Sequence, residues 1–425
     1  MIEIMKPKIK KIVSMLPLQK ADNQLLTIDN VKTAREYVND YWVNLLRDNK
    51  NDTNSLIGLP KPYLVPSYEE SHSFDFNELY YWDSYFMVQG MLDLEHKDLV
   101  MGILEDLISV YNRFNIIPNG SRTYLTGRSQ PPFLSSFIWD LYEAYDLGTE
   151  WLTKNMKTAE NEYNTVWMGT KKPNERLVYE GLSRYYDINH LDDLAEAESG
   201  WDMTPRFNRR ALNFLPVDLN CLLYKYESDF AKTAKLIGDN EAQQHWEKAM
   251  ASRARIMNML MWDNRNNMFY DYNFTKDKLS STASLASFYT LWCGMADHTK
   301  AKKLVKSLSR FECRGGLTAT EKASINIFSP YQLPMQWAYP NGWAPLHFIV
   351  VKGLQNYGYE EEARRIALKW VKTNLNWFNK NHVFLEKYNV VKPSEPPQRG
   401  VYSSQTGFGW TNAVFERFCQ DFIDD

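Results

Sequence analysis

The chain has 425 residues, 44% of them hydrophobic and 24% charged, with a formal net charge of −3. Interspersed acids and bases at that balance leave no electrostatic basis for tight binding to nucleic acid or an anionic membrane. No apolar run approaches the ~20 residues of a spanning helix, and the one unusual figure is an aromatic share of 14%.

In chain order, MIEIMKPKIKKIVSMLPL is basic and then briefly apolar. Its apolar stretch is short, contains Pro17 and leads to no small-residue cleavage site, so no signal peptide is expected. Residues 1–30 read as an N-terminal extension and 31–425 as a single domain. Asp29 and Asn30 lead into a helix in which Val31, Ala34, Tyr37, Val38, Tyr41, Trp42 and Leu45 recur at helical spacing. Further helices are predicted over Trp82–Leu94, Leu99–Arg113, Leu134–Tyr145, Glu150–Met168, Leu212–Leu236 and Asp239–Met261. The series continues with Ala283–Met295, Thr299–Leu308, Trp343–Asn356, Glu360–Asn376 and Gly409–Phe422.

Strand signals are few. Asn267–Asn273 and His382–Asn389 each follow a helix and echo one another, which suggests a repeated helix-hairpin unit. Val390–Thr406 is too long for an ordinary connector and reads as a lid or irregular binding loop. Cys221, Cys293, Cys313 and Cys419 are far apart with no CxxC pair, a pattern that fits buried free thiols and a reducing, cytoplasmic compartment. The histidines form no HExxH, and no glycine-rich phosphate loop or nucleophile elbow is present. No metal or other cofactor is expected. A monomer is compatible with the sequence, which sets no oligomeric state.

Five stretches embed polar groups in aromatic loops: 76–86 (FNELYYWDSYF), 118–132 (PNGSRTYLTGRSQPP), 198–207 (ESGWDMTPRF), 334–347 (PMQWAYPNGWAPLH) and 384–412. Sugars are recognised by this pairing: rings stack on the apolar face of a pyranose while carboxylates, amides and guanidinium groups bond its hydroxyls. Each stretch alone has a plainer reading. Asp83 suits a helix start beside a core Trp82, Gly200-Trp201-Asp202 suits a turn, and Glu386 suits a solvated strand. Five together point to one pocket for a small sugar.

These residues resemble the trehalase family of glycoside hydrolases (family 37) from roughly Pro60 to Phe418. The match rests on Tyr80-Tyr81-Trp82-Asp83-Ser84-Tyr85, PNGSRTYLTGRSQPP, ESGWD, FLPVDLN (214–220), PNGWAPL and GFGWTN (407–412), in the family's order and spacing. The resemblance implies an all-α fold, an (α/α)6 toroid with short β-hairpins and long loops around the pocket. It also implies inverting hydrolysis of a small α-glucoside, trehalose first, with no cofactor. One carboxylic acid then protonates the glycosidic oxygen while a carboxylate roughly 6.5–9.5 Å away activates water. Carried over by motif, the acid is Asp202 and the base Glu386. Trp82, Asp83, Asn119, Arg128, Gln130 and the Gly200 backbone are the implied sugar contacts. Arg206, which follows Asp202 at the family spacing, and the aromatic neighbours Trp201 and Trp337 are expected as further substrate contacts.

Four departures from the family pattern all concern substrate contacts. Asp75 stands where the family has a sugar-binding Arg, Ala338 replaces the acid of QWD, Val401 replaces an acid, and an Arg-Pro-Glu segment ahead of ESGWD is missing. Tyr185, Tyr186, His190 and Glu395 are candidates to compensate. An altered leaving-group side leaves a second reading open, hydrolysis of glucosylglycerate or mannosylglycerate as in family 63, with Arg122, Arg128, Arg206 and Arg209 as a basic cluster. A non-catalytic sugar-binding protein is the remaining alternative.

Overall fold

The computed structural model describes residues 26–68, 76–322, 335–400 and 404–424. Thr27 opens the first helix. Its hydroxyl accepts from the Asn30 amide, and the Asn30 side chain accepts from the Thr27 amide, a capping box ahead of α1 (Ile28–Leu45). Val31, Ala34, Val38, Trp42 and Leu45 form the buried stripe of α1, at the spacing read from sequence. Residues 28–30, assigned by sequence to the extension, belong to this helix.

The remaining helices are α2 (Tyr81–Val88), α3 (Lys97–Phe114), α4 (Leu134–Tyr145), α5 (Thr149–Glu162), α6 (Asp192–Glu198) and α7 (Val217–Ile237). They continue with α8 (Asn240–Leu260), α9 (Tyr289–Trp292), α10 (His298–Ser307), α11 (Ala344–Asn356), α12 (Glu360–Asn381) and α13 (Gly409–Phe422). Two kinds of helix sort into two rings. Every residue of α2 is buried, as is the whole run Ala344–Val351 of α11, which marks them as interior helices. In α8 only Trp246, Arg253, Ile256 and Met257 are buried, the stripe of a helix with one face to water.

The inner ring runs α2, α13, α11, α9, α7, α4, each packed on the next. It closes where the Leu134 amide at the start of α4 donates to the Tyr81 hydroxyl of α2, at 3.0 Å. Outside it, α1 packs on α13, α3 on α2 and α4, α5 on α4, α8 on α7 and α12 on α11. This is the expected (α/α)6 toroid. Gly90, just past α2, has a packing reason: a Cβ there would lie 2.6 Å from the Ala413 Cα, so only glycine lets the two chains approach.

Several predicted boundaries move. The helix predicted from Trp82 stops at Val88, and the one predicted from Leu212 starts at Val217, because Phe214–Leu215 forms a strand and Pro216 then sets the helix entry. The 283–295 prediction resolves into a 3-10 turn, Leu285–Phe288, and the single turn of α9. Helix α6 has no counterpart in the sequence reading, since its buried positions include Glu196 and Glu198. The two echoing strand segments also differ in partner. Met268–Phe269 pairs with Trp262–Asp263 and Tyr272–Asn273 with Phe214–Leu215, whereas Lys387–Asn389 pairs with Asn341–Trp343. The echo therefore marks two unlike strand pairings and not a repeated hairpin.

Candidate active site

One end of the inner ring holds a cavity of about 530 Å3, lined from α2 by Trp82 and Asp83, from the loop ahead of α4 by Asn119, Arg128 and Gln130, and from the turn after α6 by Gly200 and Asp202. Trp337 and Glu386 complete this set of sequence-expected residues. Sequence reading missed Phe76, Tyr80, Gln405 and Phe408, which also line the cavity. All four lie inside the flagged aromatic-polar stretches 76–86 and 384–412, but only chain folding distinguishes their faces from those of neighbouring core rings.

Each wall has a local cause. The Gln130 side-chain oxygen accepts from the Trp82 amide at 3.0 Å, tying the loop ahead of α4 to the first turn of α2. The Asn119 amide group donates to the Ser129 and Ala197 carbonyls at 3.3 and 3.4 Å. Gly200 has φ +73°, and a Cβ there would stand 2.4 Å from Trp82 Cζ2. Glycine thus meets both a left-handed backbone and the face of the ring. The Gln336 side chain donates to the Asp202 carbonyl at 2.6 Å and the Trp337 amide to the Met203 carbonyl at 3.0 Å, so the 336–337 segment fixes the loop that carries Asp202. Glu386 is held by its backbone: its amide donates to the Gln405 carbonyl at 3.0 Å, and its carbonyl accepts from Trp410 Nε1 at 3.1 Å.

Trp337 is the hub of the aromatic wall. It lies flat on Trp343 at 3.7 Å and 4°, and its centroid is 5.6 Å from Trp82 and 5.5 Å from Trp201. Trp201 and Trp343 are fully buried behind it. Trp201, expected as a substrate contact, is therefore a backing residue: it does not line the cavity but stacks on a ring that does.

Arg206 also leaves the expected set. It is fully buried and forks onto two carboxylates, Asp218 at 2.6 and 3.0 Å and Asp271 at 2.8 and 2.9 Å, with its guanidinium 4.4 Å from the Trp201 ring centre. Four of its N–H donors are spent there, and the side chain is turned away from the cavity. The proposed basic cluster does not assemble. Arg122 donates to Glu78 and Ser55, Arg209 faces Asp193 on the surface, and only Arg128 reaches the cavity. Of the candidate compensating residues, Tyr185 is buried near Asp218, Tyr186 bonds His190, and Glu395 pairs with Lys392; none lines the cavity. Ala338 is buried, while Asp75 and Val401 lie outside the described residues.

The carboxyl groups of the cavity are electrostatically linked. Burial pushes Asp202 up from the usual carboxylate range to about 7, with the Glu386 charge adding to the rise and Arg128 and Lys387 opposing it. Asp202 is partly exposed, at the cavity wall. Burial likewise lifts Asp83 to about 8, reinforced by Glu386 and Asp202. Glu386 carries a cation beside it, Lys387 Nζ at 2.5 Å, and both side chains are almost wholly buried. The arrangement sets a carboxyl protonated near neutrality and a carboxylate paired with an ammonium around one sugar-sized space.

A family model for trehalase matches residues 17–195 and 187–422. The chain belongs to the trehalase family. It is a glycoside hydrolase. The neutral trehalase Nth1 from Saccharomyces cerevisiae is 29% identical over 84% of this chain and 73% of its own, with a TM-score of 0.74. Two structures of a GH63 mannosylglycerate hydrolase from Thermus thermophilus share the fold. The glucose complex is 16% identical with a TM-score of 0.65, and the complex with Tris and D-glycerate is 15% identical with a TM-score of 0.65. Each covers 90% of this chain and 99% of its own. Among the described residues no cluster has the make-up of a metal site, and no helix is long and apolar enough to cross a membrane.

Proposed function

We propose that the protein hydrolyses a small α-glycoside with inversion, Asp202 acting as general acid and Glu386 as general base. Glu386 takes a proton from water as the water oxygen bonds to the anomeric carbon. The bond from that carbon to the glycosidic oxygen breaks on the opposite face, and Asp202 donates its proton to the departing oxygen. The observation that carries the reading is the pairing of Asp202, raised to about 7, with Glu386 beside Lys387 in one cavity. Trp82, Trp337 and Trp410 supply ring faces, and Asp83, Asn119, Arg128 and Gln130 supply hydrogen bonds for the glycosyl unit.

Trehalose is the first substrate, on the strength of the likeness to the yeast neutral trehalase. A glycerate glycoside is the second reading. It is favoured by Ala338, which removes an acid from the QWD motif, and by Arg128, a cavity cation that bonds Asp187 at 3.3 Å through Nη1 while its Nε has no hydrogen-bond partner among the described residues. A panel of trehalose, kojibiose, glucosylglycerate and mannosylglycerate tests both. Trehalose turnover supports the first reading, and turnover of a glycerate glycoside alone selects the second. Turnover of none would overturn both.

A further inference from the structure

The six inner helices enclose a second cavity. Helix α2 contributes Trp82 and Asp83 to the active-site cavity from its first turn, and Tyr85 and, just past its end, Gln89 to a separate one. The other inner helices repeat the division. Gln130, Trp337 and Trp410 lie before or at the start of α4, α11 and α13 and face the active site. Ser136 and Asp140 of α4, Phe348 and Lys352 of α11 and Arg417 of α13 lie further along the same helices and face the other space. That space, about 580 Å3, thus occupies the opposite end of the toroid, within the ~300–1,000 Å3 of small-molecule sites. Stacked rings divide the two: Tyr85 lies on Phe133 at 4.4 Å, and Phe86 packs edge-on against both Phe133 and Trp82.

Its chemistry is that of a built site and not of a packing defect. Tyr85, Phe348 and Trp292 form a buried aromatic floor, while Glu143 and Asn356 stand exposed at the rim. On that floor the Ser136 hydroxyl, in a side chain 3% exposed, has no hydrogen-bond partner among the described residues. A buried hydroxyl without a partner is destabilising, and a ligand hydroxyl in the cavity would supply the missing bond. Each cation has a carboxylate beside it: Lys352 bonds Asp421 at 2.7 Å, Arg417 Nε approaches the same carboxylate at 3.0 Å without making a hydrogen bond, and Lys225 pairs with Asp229. The Gln89 amide donates to Asp140 at 2.8 Å. Among the described residues of this cavity no surplus cation waits for an anion, but hydroxyl, amide and carboxyl groups alternate around ring faces.

We propose that this cavity is a second binding site, for a neutral polyhydroxylated molecule of monosaccharide size, separate from the site of hydrolysis. The test is fluorine NMR of the full chain labelled with 5-fluorotryptophan, with the Trp292 resonance assigned through Trp292→Phe. D-Glucose and glycerol are the neutral probes and inorganic phosphate the anionic one. The expected result is a saturable shift of the Trp292 resonance with glucose or glycerol and none with phosphate. Ser136→Ala should weaken that saturation about tenfold, the loss of one hydrogen bond. Gln89→Met, which removes the buried amide that lines the same cavity, provides a second variant with the same expected direction if Ser136→Ala fails to fold. A Trp292 resonance that ignores both neutral probes while the active-site tryptophans respond overturns the proposal. A response to phosphate alone, or saturation unchanged in both variants, overturns it equally.

Discussion

Gly200→Ala isolates the contact on which the position of Asp202 depends. A Cβ at residue 200 would stand 2.4 Å from Trp82 Cζ2 and 2.6 Å from Cε2, whereas carbons pack comfortably at about 3.5–4.0 Å. Ring and loop must therefore separate by roughly 1 Å. The left-handed φ of +73° adds about 1–2 kcal/mol for a residue with a Cβ, and the overpacking about 1–3 kcal/mol more. A separation of that size, between a sugar-facing ring and the loop bearing the acid, costs on the order of 100-fold in kcat/KM. Gly238 is the control: its φ is +77°, it ends α7, and an added Cβ meets nothing within 4 Å. Gly238→Ala should therefore pay only the backbone cost and keep full activity. Steady-state kinetics and thermal unfolding of both variants on the substrate selected by the panel decide the matter. Equal activity in the two variants would refute the argument that Gly200 holds Trp82 and Asp202 in register.

The other predictions concern protons and charges. Asp202 must be protonated to act as the acid, so kcat/KM should fall as pH rises through about 7; a profile flat for about two units above that value would exclude it. Asp202→Asn should lose about 100-fold or more on a natural glycoside but far less on α-glucosyl fluoride, whose leaving group needs little protonation, whereas Glu386→Gln should lose both activities. Similar losses of Asp202→Asn on the two substrates would contradict its role. Arg206→Met leaves Asp218 and Asp271 buried without their cation and should destabilise the fold by about 3–5 kcal/mol in denaturant unfolding. A raised KM with unchanged stability would instead return Arg206 to the substrate.

The ring of helices was legible because its signal is local. Apolar spacing in α1, α4 and α13 appears directly in the sequence, and Leu134–Tyr145 and Gly409–Phe422 match the structure at both ends. Motif spacing likewise brought Trp82, Asp83, Asn119, Arg128, Gln130, Gly200, Asp202, Trp337 and Glu386 to one cavity. What motif adjacency could not separate was a cavity face from its backing. Trp201 and Arg206 flank Asp202 closely in sequence, yet both side chains turn inward, one to Trp337 and the other to two carboxylates that arrive from α7 and the loop at Asp271. Helix α6 was hidden for a related reason. Glu198 is buried to accept the Ser129 and Tyr186 amides and the Arg176 guanidinium, partners supplied by distant parts of the chain.

Inverting hydrolysis opens the glycosidic bond with water arriving from the face opposite the leaving group. Proton NMR during hydrolysis of α-glucosyl fluoride tests it without calling on an aglycone pocket. β-Glucose is expected as the first-formed anomer, with α-glucose growing only at the rate of mutarotation. α-Glucose appearing first would contradict inversion.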